Sequence, residues 1–372
     1  MDNKLLTEKN KSFGLYEAAL ATLLFIVFNV VFMFLYRLLP VSMAASKPIY
    51  YLVSFLVEFL FALVSLSVAG LRNVKFFEAN GLNKKINFNI VFYGFLISVV
   101  SLVAFGDLTN IFLEFLGLCG YQSMLSGFEI NTFWEYLIFV VISCVTPAVC
   151  EEILFRGTIL SGFKDFGMKV ALVVSALIFM LMHGNPEQTV HQFIIGLIVG
   201  YLFLKSGNIW LGVIVHFFNN FIAVTQIYLL SMVTVSAPAG VVVESTTVSP
   251  WVSLIVSLVI ALIVAYFGLL VIKFLFKKIL HEDAKLNGTD SVQEANATIM
   301  VDGKEIEAVI TIDGQTIETE KTEEEKKEQA VLAEEKARKN EWTTSVIVMF
   351  SLSGAYLVFE WLIVLLKGFG LF

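Results

Sequence analysis

The sequence predicts an all-α polytopic membrane protein whose last two spans are separated by a small acidic insert, a β-meander plus a helix. Three observations predict it. Of the 372 residues, 58% are hydrophobic and 15% charged, and mean hydropathy is +0.82; a soluble domain runs to about 45–50% apolar and about 25% charged. So apolar a chain, with 35 Phe, must turn much of its surface to lipid rather than water. The apolar residues fall into nine long runs without strict alternation, which excludes a transmembrane β-barrel. The acidic imbalance is confined to one segment: residues 281–341 carry 17 acidic and 8 basic side chains, a net of -9 against -7 for the whole chain. No basic surface for nucleic acid is present.

The runs cover roughly 16–38, 50–71, 88–106, 133–155, 168–183, 189–204, 209–231, 251–273 and 343–366. The fifth and sixth are short for the roughly 20 residues that a span needs, and the block 133–160 is long enough to begin as an interfacial helix. The N-terminal run has no small-residue cleavage site after it and reads as a retained first span. Lys and Arg mark alternate loops. Lys4, Lys9 and Lys11 precede the first span, Arg72, Lys75, Lys84 and Lys85 follow the second, and Lys164 and Lys169 follow the fourth. Lys205 follows the sixth, and Lys273, Lys277 and Lys278 the eighth, whereas loops 107–132, 184–188 and 232–250 have neither Lys nor Arg. The bias predicts a multi-pass cell-membrane protein, N-terminus cytoplasmic, C-terminus outside and segment 281–341 cytoplasmic. Low Cys usage and this pattern fit a bacterial plasma membrane. Cys119, Cys144 and Cys150 show no disulfide or zinc spacing.

Within the insert, TIMVDGKEIEA is followed directly by VITIDGQTIET. Asp302-Gly303 and Asp313-Gly314 are hairpin-turn signals between alternating runs, predicting a three-stranded meander. Residues 320–340 read as a charged helix with i,i+4 pairs such as Glu335–Lys339. The insert is either a solvated connection or a docking module for a cytosolic partner.

An ionisable side chain inside a span costs at least about 2.5–3.5 kcal/mol at mid-helix, so those between 133 and 220 need a reason. In CVTPAVCEEILFRG, Glu152 and Arg156 are four apart and share a helix face, so Arg156 can neutralise Glu152. Glu151 points about 100° away and is less well compensated, which suits a general base or acid. His183 ends the fifth run. His216 and Asn220, four apart, project together from the seventh, while Asn219 faces elsewhere and His191 sits in a loop. Singly these are ordinary polar contacts. Together they supply a carboxylate base, two imidazoles and a carboxamide, the set needed to activate a water and stabilise an oxyanion. With spans drawn as above, Glu151 lies near the inner end of its helix and His183 near the outer end of the next. They meet only if span four starts later than 133 or the helices are tilted or broken.

At these residues the chain resembles the CAAX-protease and bacteriocin-processing family of intramembrane glutamic endopeptidases. The family's EExxxR motif appears as Glu151-Glu152-Ile-Leu-Phe-Arg156, its FxxxH as Phe179-Met-Leu-Met-His183, and its HxxxN/D as His216-Phe-Phe-Asn219-Asn220, preceded by Ser206-Gly207-Asn208-Ile209-Trp210. The resemblance covers roughly 133–225. It implies a helical bundle of about eight core spans, leaving one extra C-terminal span. It implies Glu151 as the base acting on water with His183, His216 and Asn220 as the oxyanion hole, and Glu152 and Arg156 as supports. It implies no required metal or other cofactor, and a membrane-associated peptide or protein as substrate. The organisation expected is then N-terminal spans at 1–132, a catalytic core at 133–231, the eighth span at 232–280, the insert at 281–341 and the last span at 342–372.

Other readings use the same residues. A non-catalytic membrane scaffold or immunity factor would act through the insert. A zinc hydrolase would use Glu and the two His, but HExxH is absent and Asn220 is a poor zinc ligand. A Cys150 protease meets a neighbouring Glu151 that disfavours the thiolate. A proton-coupled transporter lacks an inverted repeat.

Overall fold

The computed structural model describes residues 12–44, 46–123, 130–234, 249–288, 295–301, 304–310, 316–318 and 343–371. Among these, nine helices form a bundle: α1 (Leu15–Arg37), α2 (Lys47–Arg72), α3 (Phe88–Leu118), α4 (Phe133–Leu160), α5 (Met168–Met182), α6 (Thr189–Ser206), α7 (Ile209–Thr234), α8 (Pro250–Asn287) and α9 (Thr344–Gly368). All but α5 are long and apolar enough to cross a bilayer, α6 counted from the 3-10 turn at Pro186; α5 has 15 residues, about 22 Å of helix. The protein is a multi-pass membrane protein. The outward face of α8 shows why: Ile255, Val259, Ile263 and Phe267 are all exposed, a surface that lipid accepts and water does not.

Helix starts follow local chemistry. The Glu17 carboxylate accepts the Gly14 N–H at the head of α1 (2.9 Å), Asn87 accepts the Ile90 N–H at the head of α3 (2.9 Å), and Thr132 accepts the Glu135 N–H at the head of α4 (3.1 Å). Asn73, in the left-handed region at φ 52°, ends α2. Small residues bring helices together: a Cβ on Gly268 of α8 would lie 2.3 Å from the Ala104 side chain of α3, so any larger residue would separate the two.

Helix α4 runs through the centre of the bundle and is not regular. It is π-helical over Val141–Val145 and again over Ile153–Leu160, with the α-helical turn Thr146–Glu152 between. Pro147 explains the first irregularity. A proline inside a helix has no N–H for the carbonyl four residues back and its ring crowds that carbonyl; a π-turn relieves the crowding. The second leaves the Phe155 carbonyl to accept the Ser175 hydroxyl of α5 (3.2 Å), and Thr158 is hydrogen-bonded to Ser65 of α2 (2.6 Å).

The differences from the expected spans have physical causes. Residues 133–160 form one helical rod, without a separate interfacial helix. Glu151 therefore lies nine residues before the end of α4 at Leu160, not at the end of a helix closing near 155. Helix α8, 38 residues long, extends about 57 Å, well beyond the about 30 Å of hydrocarbon. Its last turns are held by polar groups: Asn208 donates to Asp283 (2.6 Å), and Asn287 accepts the Lys85 N–H (2.8 Å). Helix thus continues past 280 into the segment read as the insert.

Beyond α8, backbone strands β1 (Ala295–Val301), β2 (Lys304–Ile310) and β3 (Thr316–Glu318) pair antiparallel in that order, Ile299 opposite Ile306 and Val309 opposite Ile317. The turns at Asp302-Gly303 and Asp313-Gly314, and the helix expected over 320–340, lie outside the described residues.

Candidate active site

Four motif side chains, Glu151, Glu152, Arg156 and His216, meet inside the bundle; His183 reaches them through the Phe179 ring, and Asn220 bonds to Ser143 and Asn219 instead. Glu151 and Glu152 end the α-helical turn of α4, just before its second π segment, and both are buried. Arg156, one turn further along, is 1% exposed. Its Nη1 lies 3.0 Å from Glu152 Oε1, and its guanidinium sits over the Phe179 ring of α5, 4.4 Å from the centroid. A buried charge needs such a partner.

Helix α7 brings His216 to the same carboxylate. His216 Nδ1 donates to Glu152 Oε1 at 2.9 Å, which turns Nε2 toward Glu151, 3.9 Å from its Oε2. The approach of α7 depends on Gly212, one turn before His216. A Cβ there would lie 3.0 Å from Glu152 Oε2. Ser98 of α3 steadies α7 by donating to the Val215 carbonyl (2.8 Å).

His183 follows α5 as its C-cap. Its Nδ1 lies 2.8 Å from the Phe179 carbonyl, which only accepts, so Nδ1 carries the hydrogen and Nε2 of the neutral ring is a lone-pair base. Phe179 is wedged between the two imidazoles, its ring 4.8 Å from His183 and 6.0 Å from His216. Asn220 donates one amide hydrogen to the Ser143 carbonyl (3.1 Å), the carbonyl that Pro147 cannot serve.

Several buried polar atoms have no hydrogen-bond partner among the described residues: Oε2 of Glu151 and of Glu152, the guanidinium nitrogens of Arg156, and Oδ1 of Asn219. Such concentration is unusual in a folded interior and characteristic of functional sites. No group of three or more His, Cys, Asp or Glu among the described residues has the arrangement that holds a metal ion.

Three participants were not assigned from sequence. His191 lies within α6, in its first turn rather than in a loop, and its Nε2 is 3.0 Å from Asn219 Nδ2. Asn219 is buried and also donates to Asn220 Oδ1 (3.3 Å); it belongs to the network instead of facing away from it. Glu58, in α2, which packs against α4, has its Oε2 buried with no hydrogen-bond partner among the described residues. A lone carboxylate in the middle of the run YLVSFLVEFLFALVSL was the available signal.

A family model described as Type II CAAX prenyl endopeptidase Rce1-like matches residues 133–222. That stretch holds all of the EExxxR, FxxxH and HxxxN/D residues, and the match is consistent with the CAAX-protease and bacteriocin-processing family. No curated protein and no solved structure matches the chain.

Proposed function

We propose that this chain is an intramembrane endopeptidase that hydrolyses a peptide bond in a membrane-associated peptide or protein by means of a Glu/His-activated water. The observation that carries the reading is the meeting of Glu152 with both Arg156 (3.0 Å) and His216 (2.9 Å), which sets Glu151 beside the His216 ring in the bundle interior. The match over residues 133–222 to a family of CAAX endopeptidases supports it.

In this mechanism Glu151 takes a proton from a water that also donates to the His183 Nε2 lone pair. The hydroxide oxygen adds to the scissile carbonyl carbon, and the carbonyl π pair moves onto oxygen. His216 stabilises that oxyanion through Nε2–H, as an imidazolium whose Nδ1–H is held by Glu152. Asn220 has a second amide hydrogen beyond the one given to Ser143, and it serves as the other donor. Collapse of the intermediate re-forms the carbonyl and expels the amine, which takes the proton from Glu151. Arg156 pairs with Glu152 and holds it in place.

An apolar groove bounded by Val145 and Val149 of α4 and by Trp210, Val213 and Phe217 of α7 runs along the two helices that carry Glu151 and His216, which do not line it. Its chemistry suits a substrate that arrives from lipid. The remaining parts of the proposal follow from the sequence: a cytoplasmic N-terminus in the cell membrane, a catalytic core at 133–231 and a cytosolic partner for residues 281–341, folded as a meander and charged helix.

The test compares peptides released from membranes carrying wild type or Glu151→Ala. Fragments present only with wild type are the expected result. Identical fragment sets from the two would leave the chain as a scaffold.

A further inference from the structure

The Asn220 amide belongs to a chain of hydrogen bonds that runs from α4 through α7 to α6. Asn220 donates to the Ser143 carbonyl (3.1 Å), Asn219 Nδ2 donates to Asn220 Oδ1 (3.3 Å), and the same Nδ2 lies 3.0 Å from His191 Nε2. Polarity fixes every member. The Ser143 carbonyl only accepts, so Asn220 faces it with the NH2 group and faces Asn219 with Oδ1. That oxygen needs a hydrogen, so Asn219 presents its own NH2 group to it. The other Asn219 hydrogen is left for His191 Nε2, which must then carry a lone pair, with the ring hydrogen on Nδ1.

The arrangement leaves a mark on Asn219. The residue is 3% exposed, and its Oδ1 has no hydrogen-bond partner among the described residues. Turning the amide over would set that oxygen against Asn220 Oδ1, two acceptors face to face. The orphaned oxygen is thus tolerated so that both Nδ2 hydrogens are used, and a buried orphan of this kind calls for an explanation. What the arrangement secures is the direction of the Asn220 amide. Gly207, in the left-handed region at φ 61°, ends α6 and lets α7 pack back along it, which brings His191 in the first turn of α6 to Asn219.

We propose that His191 and Asn219 are positioning residues for the Asn220 oxyanion donor: the neutral His191 ring, acting through Asn219, holds the Asn220 amide with its second Nδ2 hydrogen free for the substrate. The inference rests on the endopeptidase reading for its kinetic consequence but not for the hydrogen-bond relay itself. Neither residue touches the substrate, and no proton moves along the chain. With Oδ1 held by Asn219 and one hydrogen by Ser143, the Asn220 amide is restrained from both ends. Its remaining donor is then in place before the oxyanion forms, which is the condition for effective stabilisation.

The experiment has two arms. Nitrogen NMR spectra of the full chain in lipid nanodiscs, labelled at histidine and without substrate, distinguish protonated from lone-pair ring nitrogens; the His191 signals are those lost in His191→Gln. They should show hydrogen on Nδ1 and a lone pair on Nε2, and Asn219→Ala should shift the Nε2 signal. Hydrogen on Nε2, or an Nε2 signal indifferent to Asn219→Ala, overturns the proposal. The second arm measures cleavage of a fluorogenic farnesylated peptide ending in Cys-aliphatic-aliphatic-Ser. His191→Phe should lower kcat about tenfold with KM nearly unchanged, less than the roughly 100-fold or more of losing an oxyanion donor outright, and His191→Gln, whose amide oxygen still accepts, should recover most of the loss. In an Asn220→Ala background His191→Phe should lower kcat no further, since the two act as one unit. Full kcat in His191→Phe, no recovery in His191→Gln, or an undiminished fall in the Asn220→Ala background overturns the positioning role. Equal product from wild type and Glu151→Ala would instead remove the endopeptidase reading, and the nitrogen spectra would then decide the relay alone.

Discussion

Glu152 and His216, separated by 64 residues in the chain, are joined by a 2.9 Å hydrogen bond across two helices. The same carboxylate oxygen faces Arg156. This makes Glu152 the hinge of the site although it is not the residue placed to act on water.

Removing that carboxylate should destabilise the fold before it affects chemistry. Glu152→Ala leaves Arg156 buried and unpaired, which costs about 3–5 kcal/mol. Chemical unfolding in detergent micelles should show a loss of that order. The double variant Glu152→Leu with Arg156→Met should recover most of it, because both charges then leave the interior together.

A second expectation concerns Pro147 and Asn220. Asn220→Ala strands the Ser143 carbonyl in the bundle, at a cost of about 1–3 kcal/mol. With Pro147→Ala, the chain supplies an N–H of its own to that carbonyl. The Asn220→Ala cost should therefore be clearly smaller in a Pro147→Ala background. Equal costs in the two backgrounds would separate Pro147 from Asn220.

Gly212 sets the clearance between α7 and the Glu152 carboxylate, a Cβ lying 3.0 Å from Oε2. Glu152 is held from two directions and cannot yield freely. Gly212→Ala should reduce cleavage about tenfold by displacing the carboxylate a few tenths of an ångström, with little change in melting temperature. Gly212→Val should cost more in both measurements.

Outside the spans, Tyr121 donates to Glu187 (3.1 Å). Burial first, and the Glu187 carboxylate second, push its phenol up from 10.0 to about 12. The proton is thus held more tightly in the folded protein than in the unfolded one. The resulting stability is complete below about pH 10 and is lost as pH rises toward about 12. Tyr121→Phe should flatten that alkaline loss, read from unfolding midpoints between the two pH values.

The helical membrane class and most of this site were legible because lipid is an unforgiving solvent. Glu151, Glu152, Arg156, His183, His216 and Asn220 stood out as polar groups with no place against hydrocarbon, and the i,i+4 spacing of Glu152 to Arg156 predicted their 3.0 Å contact. The rest depended on relations that no local pattern carries. Glu58 is an isolated acid in its helix, and only the packing of α2 against α4 takes its Oε2 into the interior. His191 and Asn219 meet through tertiary contact between α6 and α7. The π-turns that place Glu151 within α4 rather than at its end were hidden, since a Pro147 in sequence says that a helix is disturbed but not how it recovers.

The most direct test incubates purified wild type and Glu151→Gln, both in lipid nanodiscs, with farnesylated and unmodified versions of one CAAX-terminated peptide and reads the products by mass spectrometry. Cleavage of at least one peptide by wild type, with a rate at least about 1000-fold lower in Glu151→Gln, is the expected outcome. Product formed equally well by the two proteins would contradict a Glu151-activated water.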